Sequence, residues 1–332
     1  MSEKPYAPPY NITDEIIRLV SEVSEQIGIV SIKSETATNP QLRRENQIRS
    51  IHSSLAIENN SLSLEQVTDV INGKRVLGAP NEIREVKNAY EAYKILFAFN
   101  PFNIKDMLNA HKILMSDLTK EAGSFRSGGV GVFAGEQLVH MAPPANLVLK
   151  LISNLIHWTK TADAHPLIKS CVFHYEFEFI HPFADGNGRM GRMWQTLLLA
   201  QWKPFFVWLP IETLIRERQQ EYYDILAIAD KAADSTVFIE FMLRVIKDAL
   251  SEFLQTEQAR EQVTEQVERL LAVLGNETLS AKELLERLGL KHRQSFSSNY
   301  LHPALELGLI EMTVPDKPNS SKQKYRTAVG GR

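Results

Sequence analysis

The stretch that most constrains this chain is HPFADGNGRMGR, His181 to Arg192, which holds a histidine, a carboxylate, two glycines flanking an asparagine, and two arginines within twelve residues. Gly186 and Gly188 let the backbone turn close to a ligand. The run from Gly188 into Met193, Trp194 and Leu197 predicts a helix start, whose free N–H groups and positive dipole end meet an anion. Asn187 adds a side-chain donor. Arg189 and Arg192 stand three apart, hence on one helix face, where guanidinium forks can grip phosphate oxygens two at a time. Asp185 is a candidate ligand for magnesium, which binds through one or two carboxylates plus substrate phosphates. His181 is left as the proton acceptor, because imidazole titrates near neutrality and can take a proton from an attacking hydroxyl. Together these residues predict a site for a phosphorylated ligand.

The segment resembles the Fic-domain signature, HPFx(D/E)GNGRxxR, at every specified position, a far more specific match than a lone glycine-rich loop. Fic proteins are mostly adenylyltransferases, which move AMP from ATP onto a hydroxyl side chain of a protein. The resemblance implies that His181 deprotonates the target hydroxyl, that Asp185 holds Mg2+, that Gly186, Asn187 and Gly188 form an anion hole, and that Arg189 and Arg192 bind the outer phosphates. It also implies that Asn187 and Arg189 serve catalysis beside His181, and that the nucleotide-binding run continues through Met190 and Gly191 to Arg192.

A chain of 332 residues with 44% hydrophobic content is long enough for about two domains with real cores. Its net charge of −3 gives no global pull toward nucleic acid or membrane. The single cysteine, Cys171, excludes an intrachain disulfide framework and suits a reducing cytoplasm. MSEKPYAPPYNIT lacks the layout of a signal peptide and no uncharged run reaches transmembrane length, so a soluble cytoplasmic protein without membrane contact is expected.

Periodicity predicts a mostly α fold. Residues 1–10 read as an extended arm. Helices follow over Thr13 to Ile32, from Pro40 to the Glu58, Asn59, Asn60 stop, after the Ser63/Gln66 capping box, over Asn81 to Phe99, and over Ile104 to Leu118. His111, on the last, has no partner at metal spacing and reads as structural. Ser54 and Glu58 share one helix face, with the carboxylate free to project past the helix end. The segment Ser54 to Asn59 resembles the inhibitory motif (S/T)xxxE(G/N) found with many Fic domains. Carried over, Glu58 pairs with Arg192, keeps it from the ATP γ-phosphate and leaves the α-phosphate misaligned.

From Gly128 to Met141 the period changes to two, around an Ala134, Gly135, Glu136 turn, which predicts a β-hairpin with exposed edges. In Fic proteins the corresponding flap, here 128–142, covers the site and holds the target segment by backbone pairing. Pro143 and Pro144 precede a helix through Trp158. Pro166 opens an aromatic-rich helix that delivers the chain to His181, with Phe183 as an anchor. Lys203 to Pro210 reads as a loop, and Gln219 to Lys231 as a helix. The family places a tyrosine from this last region beside the nucleotide, carried over to Tyr223 and Tyr222; Asp230 stands where some relatives have asparagine.

A helical stretch from Thr236 to Leu274, with a break near Arg260, leads to a tail of different logic. Ser280 and Glu283 cap one helix, Ser295 to Leu307 forms a second, and Leu309 to Val314 and Gln323 to Thr327 read as strands. This order resembles a winged helix. Lys291, Arg293, Lys322, Lys324 and Arg326 make 276–332 modestly basic, so DNA and protein docking both stay open for it.

The expected architecture is a Fic-type helical bundle with a β-hairpin flap plus a small winged helix-turn-helix domain. Its divisions are 1–100 with the inhibitory motif, 101–255 with the catalytic core, and 256–332. The leading expectation is an autoinhibited protein adenylyltransferase using ATP and Mg2+, with a target protein on the flap. Self-modification and a homodimer are held as further expectations. Three alternatives stand beside it: removal of AMP with Glu58 positioning a water, transfer of another phosphate-bearing group, and a DNA-binding regulator whose core only senses nucleotide. A P-loop kinase is disfavoured because no GxxxxGK segment occurs. His174, His181 and Asp185 offer no persuasive zinc set.

Overall fold

A computed structural model of the chain describes residues 6–36, 40–134, 137–318, 320 and 322–328, with side chains except those of 32–36, 40–42, 132–134, 137–140 and 257–264. The fold is mostly helical. Two compact units are present, Met1–Ser251 and Glu252–Arg332.

In the first unit the order is α1 (Asp14–Thr36), α2 (Pro40–Ile57), α3 (Leu64–Ile71), α4 (Pro80–Lys94), α5 (Ile104–Leu114), β1 (Gly131–Ala134), β2 (Gln137–Met141), α6 (Val148–Thr161), α7 (Pro166–Ile180), α8 (Asn187–Trp202), α9 (Ile211–Glu217), α10 (Gln219–Ala232) and the start of α11 (Thr236–Leu274). Several starts are set by single residues. Ser63 and Gln66 form the reciprocal capping box of α3, and Asn103 accepts from the Lys105 N–H at the start of α5. Pro80 and Pro166 each occupy a first helical position, where the missing N–H costs nothing.

α7 is apolar nearly all round and buried on every face, as a helix at the centre of a bundle must be. Against it and α8 pack Ile51 and Leu55 of α2, Val86 and Ala89 of α4, Met107 and Leu114 of α5, and Ile152 of α6, around Phe173, Phe177, Met193, Trp194 and Leu197. Residues on both sides of position 100 therefore contribute to one core, and α2, which leads into Glu58, is part of it. The arm beyond residue 5 is tied down as well: the Tyr6 hydroxyl donates to Glu176, and Pro9 O accepts from the backbone and side chain of Ser235.

β1 and β2 pair antiparallel, Gly131 opposite Met141, with a bulge after Val132. The predicted hairpin is thus present, while 135–136 of its predicted turn lie outside the described residues. Three local expectations are corrected. Lys203 to Pro210 contains a 3-10 turn, Pro204–Trp208, ordered by burial of Phe205 and Phe206. α11 runs from Thr236 to Leu274 without the expected break. The helix expected over Ser295 to Leu307 is broken into α13 (Arg293–Phe296), a π-type turn Ser297–Leu301 and α14 (His302–Glu306). Pro303 explains this, because it has no N–H for the next i→i−4 bond and its ring crowds the preceding turn.

The second unit places α12 (Ala281–Arg287), α13, α14, β3 (Ile310–Met312) and β4 (Tyr325–Thr327) around Leu270, Leu274, Leu284, Phe296, Leu301, Ile310 and Tyr325. β3 pairs antiparallel with β4, and Leu279 bridges to Tyr325. The helix, turn, helix, ribbon order expected for the tail is the order observed. Among the described residues no helix is long and apolar enough to cross a membrane.

Candidate active site

The loop between α7 and α8 is built on a hydrogen-bonded floor. His181 ends α7 in the left-handed region, φ 49°, which turns the chain sharply, and it is half-buried. Its Nδ1 lies 3.3 Å from Glu178 O. Gly186, φ 82°, begins α8, and a Cβ there would strike the Met115 sulfur at 2.7 Å, so only glycine fits. Phe183 is fully buried and stacks on His111 with centroids 3.7 Å apart. The Gly123 N–H donates to His111 Nδ1, so Nε2 carries the proton and donates to Asp185 O at 3.0 Å. Burial holds His111 at about 4, neutral at physiological pH. His111 is thus the structural histidine expected from sequence, and it supports the loop from below.

Arg126, which the sequence reading missed, is a buried guanidinium spent on carbonyls. It donates to His181 O at 2.7 Å, Gly128 O at 2.9 Å, Pro143 O at 2.5 Å and Ile180 O at 3.3 Å, while its own N–H meets Pro182 O. A cation at the carbonyl end of α7 is favoured by the helix dipole. One side chain thereby ties His181 to both roots of the hairpin. The signal was present in the sequence as a lone arginine among Gly, Ser and Phe residues just before the strand pattern.

Above the floor sit the charges. Asp185 is 60% exposed, and both its contacts, from the Gly186 N–H at 2.6 Å and Arg189 at 3.2 Å, fall on Oδ1. Among the described residues there is no cluster of three or more metal-binding side chains. A cation at Asp185 would therefore complete its shell with phosphate oxygens and water, which is the habit of magnesium, and the residues present fit that ion.

Arg192, 1% exposed, donates from Nε to Ser54 Oγ at 3.1 Å and from one terminal nitrogen to Ser54 O at 3.0 Å and to Glu58 Oε1 at 2.7 Å. Glu58 itself is 32% exposed. A Cβ on Gly188 would collide with the Glu58 carboxylate, so that carboxylate lies directly over the first turn of α8. The helix N-terminus that sequence marked as an anion site thus holds an anion supplied by the chain itself.

The remaining predicted site residues divide. Arg189 is buried and paired with Glu85 at 3.0 Å, another partner the sequence reading missed. Four of the expected nucleotide-binding residues are committed within the fold. Asn187 is buried and its amide both donates to Phe183 O and accepts from Phe183 N, each at 2.9 Å, so it closes the loop rather than facing a ligand. Met190 is a fully buried core residue. Gly191 faces α7, where a Cβ would strike the Glu178 carboxyl. Tyr222 is 1% exposed, and its hydroxyl donates to His174 Nε2 at 3.0 Å, because His174 Nδ1 faces the Gln195 carbonyl at 2.6 Å and must carry the ring proton. Tyr223, 42% exposed with its hydroxyl 3.3 Å from Ile57 O, is the tyrosine left near the mouth. β2 runs against α10, which carries it.

Glu178 is a further acid that periodicity alone did not distinguish from its neighbours. It is almost fully covered, and its Oε1 has no hydrogen-bond partner. Burial first, with Glu58 adding and Arg192 opposing, pushes its carboxyl up to about 8.

Comparison with known proteins converges on this loop. Residues 101–199 match the Fic/DOC family, and residues 265–328 match the C-terminal domain of filamentation-induced-by-cAMP Fic-like proteins. Among curated proteins the chain is 27% identical over 238 residues to protein adenylyltransferase Fic of Aedes aegypti, covering 68% of this chain and 46% of that one. It is 26% identical over 286 residues to the same-named protein of Drosophila mojavensis, covering 81% and 54%. The chain spans about half the length of these curated relatives. Among solved structures, a Fic family protein from Desulfovibrio desulfuricans G20 is 54% identical, with a TM-score of 0.76, covering 98% of this chain and 100% of that one. Fic-1 of C. elegans shares the fold at 20% identity and a TM-score of 0.58 over 74% of this chain and 72% of that one. With its signature loop intact and a full-length relative at this identity, the chain belongs to the Fic family.

Proposed function

We propose that this protein is an ATP-dependent protein adenylyltransferase held inactive by its own Glu58. The observation that carries the reading is the Glu58 carboxylate, bound to Arg192 at 2.7 Å and seated over Gly188 at the head of α8. Relatives named protein adenylyltransferase support the reaction class.

In this reading the target hydroxyl attacks the α-phosphorus of ATP, its proton passes to His181, the bond from the α-phosphorus to the bridging oxygen breaks, and pyrophosphate leaves. Magnesium, when bound, neutralises charge on the phosphates and takes Asp185 as its protein ligand. The first-turn N–H groups of α8 stabilise phosphate charge, which is catalysis by positioning and preorganised dipoles with no covalent enzyme intermediate. Arg126 holds His181 by its carbonyl, so the base keeps its aim. Arg192 orients the γ-phosphate only after Glu58 withdraws. Tyr223 lines the adenine side. The β1–β2 hairpin, with unpaired edges and roots fixed by Arg126, takes an extended segment of the target protein by strand pairing.

A second reading is favoured by the partial exposure of Glu58 beside the anion site: the same carboxylate can orient a water that removes AMP from a modified protein. The basic wing residues of the second unit leave DNA or protein docking as its task.

The test is to incubate wild type, Glu58→Gly and His181→Ala with ATP and magnesium and to weigh the intact proteins. An adenylyl mass gained by Glu58→Gly, little by wild type and none by His181→Ala, is the expected result. A phosphoryl mass would overturn it in favour of the reversed nucleotide. Addition in His181→Ala equal to that in Glu58→Gly would remove the base from its role.

A further inference from the structure

The segment that carries Glu58 has a second attachment to the signature helix. α2 ends at Ile57; Asn59 turns through the left-handed region at φ 67°, and Asn60 follows, buried. Asn60 Nδ2 donates to Glu85 Oε2 at 2.8 Å and to Glu82 O at 3.2 Å, while its Oδ1 accepts from the Leu62 N–H. The next N–H, of Ser61, donates to Glu82 Oε1 at 2.6 Å. The end of the inhibitory segment is therefore fastened to α4. Glu85, the residue Asn60 holds, uses its other oxygen to grip Arg189 at 3.0 Å. A continuous path runs from Glu58 through Asn60 and Glu85 to the first arginine of the signature.

The grip leaves Arg189 incompletely satisfied. Its two terminal nitrogens are taken by Glu85 and Asp185, but its Nε is buried without any hydrogen-bond partner. A guanidinium in its best arrangement presents parallel donors to a planar or tetrahedral oxyanion, and a buried N–H without an acceptor is unfavourable. Arg189 is therefore in a held position that lacks one acceptor. The charges point the same way. Arg189 and Arg192 face three carboxylates, Glu58, Glu85 and Asp185, so the mouth carries one net negative charge from these groups, which repels a polyphosphate.

We propose that Glu85 is a positioning residue that holds Arg189 back from the nucleotide phosphates, with Asn60 tying that hold to the seating of the inhibitory segment. The site then has two carboxylate locks, Glu58 on Arg192 and Glu85 on Arg189, and both engage when residues 54–61 are in place. This rests on the reading that Arg189 and Arg192 bind the phosphates of ATP.

The experiment measures dissociation constants for magnesium ATP and for adenosine on wild type, Glu58→Gly, Glu58→Gly/Glu85→Gln and Glu58→Gly/Asn60→Ala, by calorimetry, with melting temperatures alongside. Tighter ATP binding in Glu58→Gly than in wild type checks the underlying reading by itself. Against the Glu58→Gly protein, Glu85→Gln is expected to tighten ATP binding about tenfold with adenosine unchanged, because the neutral amide keeps the shape and removes a competing charge. Asn60→Ala, which loosens Glu85 without altering charge, is expected to tighten ATP binding about threefold. A prop with no role in the lock would weaken ATP and adenosine alike when altered, and that result overturns the proposal. Unchanged ATP affinity in both double variants also overturns it, even if Glu58→Gly behaves as expected. If Glu85→Gln does not fold, the Asn60→Ala result decides alone.

Discussion

The floor and the rim of the signature loop use polar groups in opposite ways. On the floor, His111, Arg126 and Asn187 are buried, and their partners are backbone groups of the loop or its roots. On the rim, Asp185, Arg189 and Arg192 pair with other charges, and two of those partners, Glu58 just after α2 and Glu85 on α4, come from segments far away in sequence. A backbone partner cannot leave without unfolding the loop, whereas a carboxylate on another helix can move with that helix. The floor therefore fixes geometry and the rim sets availability. Substitutions below should cost stability, and substitutions above should change ligand affinity.

The largest expected effect tests the floor. Phe183→Ala removes a fully buried ring that stacks on His111 and packs near Phe125 and Phe177. A loss of about 3–5 kcal/mol is expected from transfer and cavity terms together. For a unit of this size that is a drop of roughly 10 °C in melting temperature. Thermal unfolding followed by circular dichroism reads it. A drop under about 2 °C would mean that the loop is held mainly by its hydrogen bonds.

This division explains what was legible in the sequence. The signature identified the loop because its chemistry is contiguous: His181, Asp185 and the two arginines lie within twelve residues. The Ser54 to Asn59 motif gave the Glu58 to Arg192 pair, and the period change gave the hairpin. Glu85 and Arg126 escaped because their roles depend on packing between α4, α8 and the hairpin roots, and neither sits in a local pattern. Met190 and Gly191 lie between the two arginines of the signature, but their directions are not those of the arginines. On a helix those two positions point elsewhere, Met190 into the core and Gly191 onto α7. Tyr222 and Tyr223 are adjacent, so only the burial of one face of α10 separates them. Pro303 could have forecast the disturbed helix in the second unit, since its cost to a regular turn is intrinsic.

Glu178 sharpens the comparison, for it is largely covered like the floor and ionisable like the rim. It faces Arg192 from α8, Glu58 just beyond the end of α2, His174 on its own helix, and Tyr222 and Tyr223 from α10. Its folded value of about 8 lies above the ordinary 4.5, so the folded protein keeps a proton that the unfolded chain releases. The stability this contributes is present below the ordinary value and is lost as pH rises toward about 8. Relative to Glu178→Gln, wild type should therefore lose stability between these limits, with a slope of at most about 1.4 kcal/mol per pH unit. Urea unfolding of both proteins across that range measures the difference. Parallel profiles would show that the carboxyl is ionised in the folded protein and belongs electrically to the rim.

The smallest effects come from the two adjacent tyrosines, which set floor against rim at neighbouring positions. Tyr222→Phe deletes the hydroxyl that donates to His174 Nε2 and leaves a buried acceptor unpaired, at a cost of about 1–3 kcal/mol. Tyr223→Phe deletes a half-exposed hydroxyl and should stay within about 0.5 kcal/mol of wild type. Ligand binding should run the other way. In the Glu58→Gly protein, Tyr223→Ala should weaken adenosine about three- to tenfold by removing an aromatic face, whereas Tyr222→Phe should leave adenosine affinity unchanged. Calorimetric titration of adenosine into the two variants reads this. Equal losses in both would mean that α10 presents its buried face to the nucleotide once Glu58 withdraws, and the boundary between floor and rim would then have to be drawn on the other side of Tyr222.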